Sequence, residues 1–371
     1  MANTFVTLQE IARQALPRLR DNLVFPGLIH RDFEDEMHGV GDVVKIRKPV
    51  KYEAGEFDES NGVQYQDIIE DGVEVKLEHI ATVDARASAI EAATCLDDLN
   101  RLFVEPAAIA IAEKINADGL KLYKDVFNCV GEAGVTPGKL TDISAARRAL
   151  NMMGAPMHGR CAVWDVEADA NFMSLDALVN AEKAGSNAAL REGAIGRVYG
   201  LDNYMSQAVV KHESGITTAT GVKVNGAVTE GANVLNIDGT TLTGKLVKGD
   251  VLKIGGNCYA VTEDTAAAAS NAITGVKVYP ALPAIADNAD VTIMGSHVAN
   301  MAFHPMAFAY VTRPLANPDG QGVESYVTNF DGLSLRVTRG YDQQYKRSIY
   351  SMDVLYGFKT VYPELAVRIM G

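Results

Sequence analysis

From Val73 to Asp84 the chain alternates almost without fault. Val73, Val75, Leu77, His79, Ala81 and Val83 take one set of positions, and Glu74, Lys76, Glu78, Ile80, Thr82 and Asp84 take the other. Side chains of a strand point to opposite faces in turn, so this pattern predicts one long strand with one face buried. Upstream, VVKIRKPV reads as a second strand, ended by Pro49. Between them EAGEFDESNG (53–62) is polar and turn-rich, with Asn61-Gly62 as a strong turn signal. Together these predict an extended hairpin over about 42–80. Its charge is polarised: 42–52 carry four bases and one acid, whereas 53–78 carry nine acids and one base. A lone two-stranded ribbon is only marginally stable in water, so something must cover it. The cover is either its own domain or another copy, whose basic surface would meet the acidic tip and fix the register by charge complementarity. Lys45, Arg47, Lys48 and Lys51 at the basic end, with Glu53, Glu56, Asp58 and Glu59 at the acidic end, are the candidate subunit-interface residues.

The flanking segments read as follows. In 7–20, TLQEIARQALPRLR, Thr7 and Glu10 make a capping box; Leu8, Ile11, Ala15 and Leu19 fall on one face, and Pro17 is expected to bend or end the helix. Residues 97–127 form a long helical pattern, with Asp97 and Asp98 suited to its positive end and Leu99, Leu102, Phe103, Ala110, Ile115, Leu122 and Val126 at helical spacing. Pro106 and Gly119 predict a kink or two abutting helices. At about 30 residues such a helix would reach about 45 Å, a strut rather than an ordinary core helix. From 135 to 212 the pattern alternates: a helix over Thr141–Met153 capped by Thr141, a buried strand CAVW (161–164), a helix over Val166–Ala184, and a glycine-hinged strand in GRVYGLDNYMS.

Residues 213–296 differ in kind. They hold no Arg, Phe, Trp or Gln, yet contain 11 of the 33 glycines. Short apolar strands recur between Gly, Asn and Asp turns (GVKVNG, NVLNIDG, GDVLKIGGNCYAV, GVKVYP, DVTIMG), which predicts a small all-β barrel or sandwich. Aromatic and Arg-bearing sequence returns at His297–Arg313, so the segment reads as a domain inserted into a loop of the preceding one. FAYVT, LSLRVTRG, SIYSMDVLYGF and LAVRIM read as strands of the return, with the last tying the terminus into a sheet.

The chemistry-bearing residues are sparse. The sequence has no GxxxxGK[ST], no GxGxxG after a strand, no HExxH, no GxSxG and no Ca²⁺ loop. The seven histidines (30, 38, 79, 158, 212, 297, 304) show no i, i+4 metal pair. His30 and His38 with Asp32, Glu34, Asp35 and Glu36 read as an acidic surface loop rather than a metal site. Asp97-Asp98 are explained as helix-starting residues. No catalytic, metal or cofactor residue is assigned. Cys95, Cys129, Cys161 and Cys258 match neither a zinc pattern nor a compact disulfide frame, and read as buried or idle thiols. The 371 residues carry a net charge of −13 with 47% hydrophobic content. That is a globular balance of two or three domain-sized units, and an acidic one that argues against a dedicated nucleic-acid binder. No apolar run approaches the ~20 residues of a membrane span, and Met1 to Gln9 lack a signal-peptide layout, so an intracellular, soluble protein is expected.

The order of these parts, carried by DDLNRLFVEPAAIAIAEKIN (97–116), GRVYGLDNYMS (196–206), LVKGDVLKIGGNCYAV (246–261), NMAFHPMAFAYVTRPL (300–315), SLRVTRGYD (334–342) and VLYGFKTVYPELAVRIMG (354–371), resembles the major capsid proteins of tailed bacteriophages, which have the Hong Kong 97 fold. It is most similar to the coat proteins of short-tailed phages with an inserted β-barrel, departing from them at GNCYAVTED (256–264). The resemblance implies an α+β fold divided as N-terminal arm 1–41, extended hairpin loop 42–80, peripheral domain with spine helix 81–134, axial domain 135–212, inserted β-domain 213–296, and axial return with C-terminal peripheral strands 297–371. It implies a structural, non-enzymatic role without cofactor: self-assembly into hexamers and pentamers of an icosahedral virion shell around double-stranded DNA, built in the host bacterial cytoplasm. The partners implied are further copies, a portal, a decoration protein and, since structural pattern begins by Thr7, a separate scaffolding protein. Some members crosslink through a loop lysine. Here Lys45, Lys48 and Lys51 lie in the first strand and the tip is acidic, so no covalent linking is expected. A cellular nanocompartment shell of the same fold, and a phage tail or tube protein, are the alternatives.

Overall fold

The structure, a computed structural model, describes residues 13, 15–19, 22–31, 43–47, 72–88, 104–184, 188–318, 323–330, 333–345 and 347–371. The chain divides into two compact units. The first comprises 1–20, 31–111 and 309–361, and the second 21–30, 112–308 and 362–371.

The first unit is organised by a five-stranded antiparallel sheet. Arg347–Thr360 is its longest strand, flanked by Phe308–Arg313, Leu333–Asp342 and His79–Ser88, with Glu324–Phe330 outside Leu333–Asp342. The register pairs Val337 with Met352 and Val83 with Met352, and Ala81 with Val354. Side chains opposite one another share a face, so Val337, Met352, Val354, Tyr356 and Ala81 form one buried apolar layer. The other face holds a polar knot. Arg336 donates from Nε and Nη2 to Asp353 Oδ2 (3.0 and 2.7 Å) and from Nη1 to the Ala316 carbonyl (2.8 Å), while Ser351 Oγ donates to Asp353 Oδ1 (2.9 Å). A carboxylate so surrounded can be buried without an unpaired oxygen.

The expected single strand over 73–84 is two strands. Gly72–Lys76 pairs with Val43–Arg47, and after a break at Leu77 and Glu78 the chain changes partner, His79–Ser88 pairing with Arg347–Thr360. The period-two burial survives at Val75, Leu77 and Ala81, but His79 and Ile80 are both exposed where the partner changes. In the N-terminal segment residues 15–19 are helical, so Pro17 does not end the helix; Ala15 and Leu19 are buried as expected. Thr7, Leu8, Glu10 and Ile11 lie outside the described residues. So do Asp97, Asp98, Leu99, Leu102 and Phe103; the described helix runs Glu105–Leu120, with Pro106 in its first turn, where the missing N–H costs little, and Gly119 in its last. It ends seven residues early, passing into a 3₁₀ turn over Lys121–Asp125.

The second unit contains a seven-stranded mixed sheet in the order Cys129–Gly131, Ala366–Met370, His297–Phe303, Cys161–Trp164, Leu201–Met205, Gly196–Val198, with Lys211–His212 also on His297–Phe303. Helix Leu140–Met152 buries Ile143, Ala146, Ala149 and Leu150 in a core with Ala162, Trp164, Val367 and Ile369. The N-cap position is Lys139, and the helix start is closed by Asp142 at the third helical position, whose Oδ2 accepts from the Gly138 and Lys139 amides at 3.0 Å each; Thr141 is not the cap and stands inside the first turn. The single helix expected over Val166–Ala184 is three: Val166–Met173, Asp176–Val179 and Ala181–Ala184. Ser174 Oγ bonds back to the Asn171 carbonyl (2.6 Å) and Leu175 and Asn180 are extended, so local polar bonds replace the helical ladder. The glycine hinge of GRVYGLDNYMS is a tight hairpin turn, with Tyr199 and Gly200 both at positive φ (51° and 81°). The C-terminal strand is wholly buried between its neighbours, and the terminal Gly371 carbonyl accepts from Val298 and Gly134.

Between 216 and 293 every regular element is a strand, and in the sheet orders these strands pair with one another. Lys223–Val224, Ala232–Asp238, Ala272–Leu282, Asn257–Val261, Val251–Ile254 and Val291–Ile293 form one antiparallel sheet, and Ile216–Thr220 pairs with Thr241–Gly244. Their core is Val, Ile and Leu with Tyr259, so β-branched side chains fill it without Phe or Trp. The flanks on either side, Lys211–His212 and His297–Phe303, pair with each other. Cys129 and Cys258 are not idle thiols: they form a disulfide with Cα atoms 6.4 Å apart, across 129 residues of sequence. Spacing could not reveal it because the partners come together only when the two sheets of this unit meet. Cys161 is free and buried, and Cys95 lies outside the described residues.

Candidate functional site

Two places concentrate what the sequence marked or concealed. The first is the ribbon of the first unit. Val43–Arg47 and Gly72–Lys76 pair antiparallel, placing Lys45 opposite Glu74, Arg47 opposite Gly72 and Val43 opposite Lys76. The register therefore puts Lys45, Arg47, Glu74 and Lys76 on one face and Val44, Ile46, Val73 and Val75 on the other. The ribbon is pinned at its base. Val75 is buried, and Gly357 lies so close to it that a Cβ there would meet the Lys76 carbonyl oxygen at 2.3 Å. Only glycine lets the Arg347–Thr360 strand pass the ribbon at that distance. The Lys76–Glu78 ion pair (3.7 Å) is well exposed and adds little. Of the candidate interface residues, Lys45 and Arg47 stand on this ribbon; Lys48, Lys51, Glu53, Glu56, Asp58 and Glu59 lie outside the described residues.

The second place was missed by the sequence reading. In the second unit Tyr123, His212, Asp250, His297 and Arg368, from five distant segments, converge. His212 Nε2 is 2.9 Å from Asp250 Oδ1, and its Nδ1 is 3.0 Å from Tyr123 Oη. A carboxylate can only accept here, so the geometry assigns the proton to Nε2, and the tyrosine hydroxyl donates to Nδ1. Asp250 Oδ2 accepts the Val247 amide (2.8 Å). Arg368 donates from Nη1 to the Gly249 carbonyl (2.6 Å) and from Nη2 to the carbonyls of Val126 (3.0 Å) and Tyr123, and its guanidinium lies 4.9 Å from the Tyr123 ring centre. His297 donates from Nδ1 to the Gly295 carbonyl (2.8 Å), its ring 5.2 Å from that of His212.

His212 is 2% exposed, His297 1%, and Asp250 and Arg368 0%. Burial pulls the Arg368 guanidinium down to about 10, so at neutral pH it stays charged and balances the Asp250 carboxylate. Burial also pulls His297 down to about 4, only partly offset by the Gly295 carbonyl. A Tyr–His–Asp chain has the parts of a base and its orienting acid, but a base must reach a substrate proton, and these side chains meet no solvent. The arrangement is a sealed polar junction. It fastens the 216–293 strands, which supply Gly249 and Asp250, to the C-terminal strand. Tyr279 Oη adds a bond to Glu364 Oε1 (2.6 Å), and Lys248 Nζ an ion pair with Asp125 (2.9 Å). One signal was present: Arg368 is the lone charge in AVRIM, an otherwise apolar strand.

Among the described residues no cluster of His, Cys, Asp and Glu could hold a metal ion, and no helix is long and apolar enough to cross a membrane. No protein-family model matches the sequence, and no curated protein matches it. Solved structures do. A chain of Mycobacterium phage Che8 matches over 94% of this chain and 90% of its own, with a TM-score of 0.53 and 17% identity. The capsid structure of the cyanophage P-SCSP1u matches over 89% of this chain and 84% of that one, with a TM-score of 0.50 and 10% identity. At these identities the likeness is one of fold.

Proposed function

We propose that this chain is a major capsid protein, the structural subunit of an icosahedral phage head. The observation that carries the reading is its fold likeness, over most of its length, to the capsid of a cyanophage. In this reading copies assemble into hexamers and pentamers around double-stranded DNA, the shell forms in the bacterial cytoplasm, and a separate scaffolding protein and a portal take part. Residues 42–80 are the extended loop, 213–296 the inserted domain, and 135–212 with part of 297–371 the axial domain. The ribbon supports this: a two-stranded element is marginally stable alone and needs cover, and in this reading another subunit supplies it. The net charge of −13 suits a wall that must not adhere to packed DNA. In this reading the role is structural and non-enzymatic.

Negative-stain electron microscopy of the protein, purified after expression with its scaffolding partner, tests the reading. Closed shells of uniform size are expected, and boiled, reduced gels should show only the subunit band. Stacked rings or open tubes would instead indicate a tail component, and shells filled with an enzyme cargo a nanocompartment. A stable monomer at high concentration would end the reading.

A further inference from the structure

Beside the polar contacts of the junction, the seven-stranded sheet and the antiparallel sheet of 223–293 share a covalent link. Cys129 stands on the edge strand of the seven-stranded sheet, opposite Arg368, and Cys258 stands opposite Lys253 in the antiparallel sheet of 223–293. Both cysteines are half-buried, and both line a cavity of about 670 Å³ walled by Phe127, Arg148, Met152 and Pro280. Met152 is 77% exposed at its mouth. A small molecule can therefore reach the bond; the charged side chains lining the cavity are Arg148 and Glu230, one of each sign, so a thiol carrying both charges is accommodated. Cys161 offers a contrast: it is buried away from this cavity, and burial pushes its thiol up to about 11, which leaves it inert.

We propose that Cys129–Cys258 is a thiol–disulfide exchange site for low-molecular-weight thiols of the glutathione class, and that its reduction uncouples the edge strand from the 257–261 strand while the rest of the fold persists. A thiolate attacks one sulfur, taken here as Cys258 Sγ. The new S–S bond forms as the old one breaks, and Cys129 leaves as a thiolate. A second thiolate attacks the small thiol's sulfur in the mixed disulfide, a free small-molecule disulfide departs, and both protein thiolates take up protons. Two small thiols are oxidised and one protein disulfide is reduced. The fold persists because the Arg368, His212–Asp250, Tyr279–Glu364 and Lys248–Asp125 contacts involve neither sulfur.

The test uses the full chain, oxidised, with and without millimolar reduced glutathione and no denaturant. Without it, Cys129 and Cys258 should resist alkylation and appear in one cross-linked peptide. With it, both should alkylate while far-ultraviolet circular dichroism is unchanged, and amide exchange over 257–261 should rise about tenfold, as expected for local opening. A Cys129→Ser/Cys258→Ser variant should exchange at the faster rate in either condition. Alkylation of both cysteines before reduction, reduction only in denaturant, or reduction with no change in exchange would each overturn the proposal.

Discussion

The ribbon of Val43–Arg47 and Gly72–Lys76 and the 216–293 strands are made from the same antiparallel ladder and end in opposite situations. In the ribbon, Val75 is buried beside Gly357, while Glu74 and Lys76 on the opposite face are exposed. In 216–293 two sheets share one core, from Val224 and Ile237 through Val261 to Val276. The difference teaches that alternation makes a strand, but independence comes from how many strands share a buried face. The second region carries its own core; in the function proposed above, the first takes its cover from another copy.

Fastening is the most costly thing to break. Arg368→Leu removes the donors to the Gly249, Val126 and Tyr123 carbonyls and leaves the Asp250 charge unbalanced in a sealed site. A loss of about 4 kcal/mol is expected in urea denaturation. A loss below about 1 kcal/mol would mean that Arg368 is not what fastens the 216–293 sheets, leaving that to packing, the disulfide and the Tyr279–Glu364 and Lys248–Asp125 contacts. Within those sheets, Ile237→Ala should cost about 3 kcal/mol, since Ile237 is fully buried. A much smaller cost would deny the region a core of its own.

The junction also titrates. His297 is held near 4 when folded and returns to about 6.5 when unfolded, so between those values the unfolded chain binds the extra proton. Stability from this group is full above about pH 6.5 and is lost as pH falls towards 4, amounting to about 3 kcal/mol. Urea midpoints at the two ends of that window should differ less in His297→Leu than in the parent chain. An unchanged difference would place the pH dependence elsewhere.

These expectations separate what was legible in the sequence from what was not. The all-β character of 213–296 was legible because glycine turns and short β-branched runs are local signals. So was the ribbon, since period two needs no tertiary knowledge. The break at Leu77 and Glu78 was hidden, because the hydrophobic period runs on unchanged while the hydrogen-bonding partner switches. The role of Asp142 was hidden because the N-cap position is held by Lys139, a residue with no capping signature, while the neighbouring Thr141 is a familiar cap. The junction and the disulfide were hidden for a stronger reason: apart from Arg368, a lone charge in an apolar strand, Tyr123, Cys129, His212, Asp250, Cys258 and His297 are each ordinary in their local context and acquire meaning only where segments from 38 to 245 residues apart converge.

On the ribbon side the expected effects on folding are smaller. Gly357→Ala drives a Cβ against the Lys76 carbonyl oxygen and should cost about 1–2 kcal/mol. Gly340→Ala is the control, because its nearest neighbour would be Val323 at 3.9 Å. If the two cost the same, the close pass of the Arg347–Thr360 strand does not position the ribbon.

Smallest on folding, and the sharpest test of dependence, is charge reversal at the acidic end. Glu56→Lys, Asp58→Lys and Glu59→Lys together change a segment that holds nine acids against one base over 53–78. Charges that are solvated in the lone subunit alter its stability by about 0.5 kcal/mol or less. Between subunits, however, like charges brought together cost several times more and spoil register, because complementarity decides which surfaces stay in contact. The triple variant should therefore keep its denaturation midpoint and lose most of its assembled particles at physiological salt. Raising the salt concentration screens both attraction and repulsion, so it should narrow the gap between variant and parent. A normal particle yield would mean that the acidic end is simply solvated and that the ribbon finds its cover through its apolar face, Val44, Ile46, Val73 and Val75, instead.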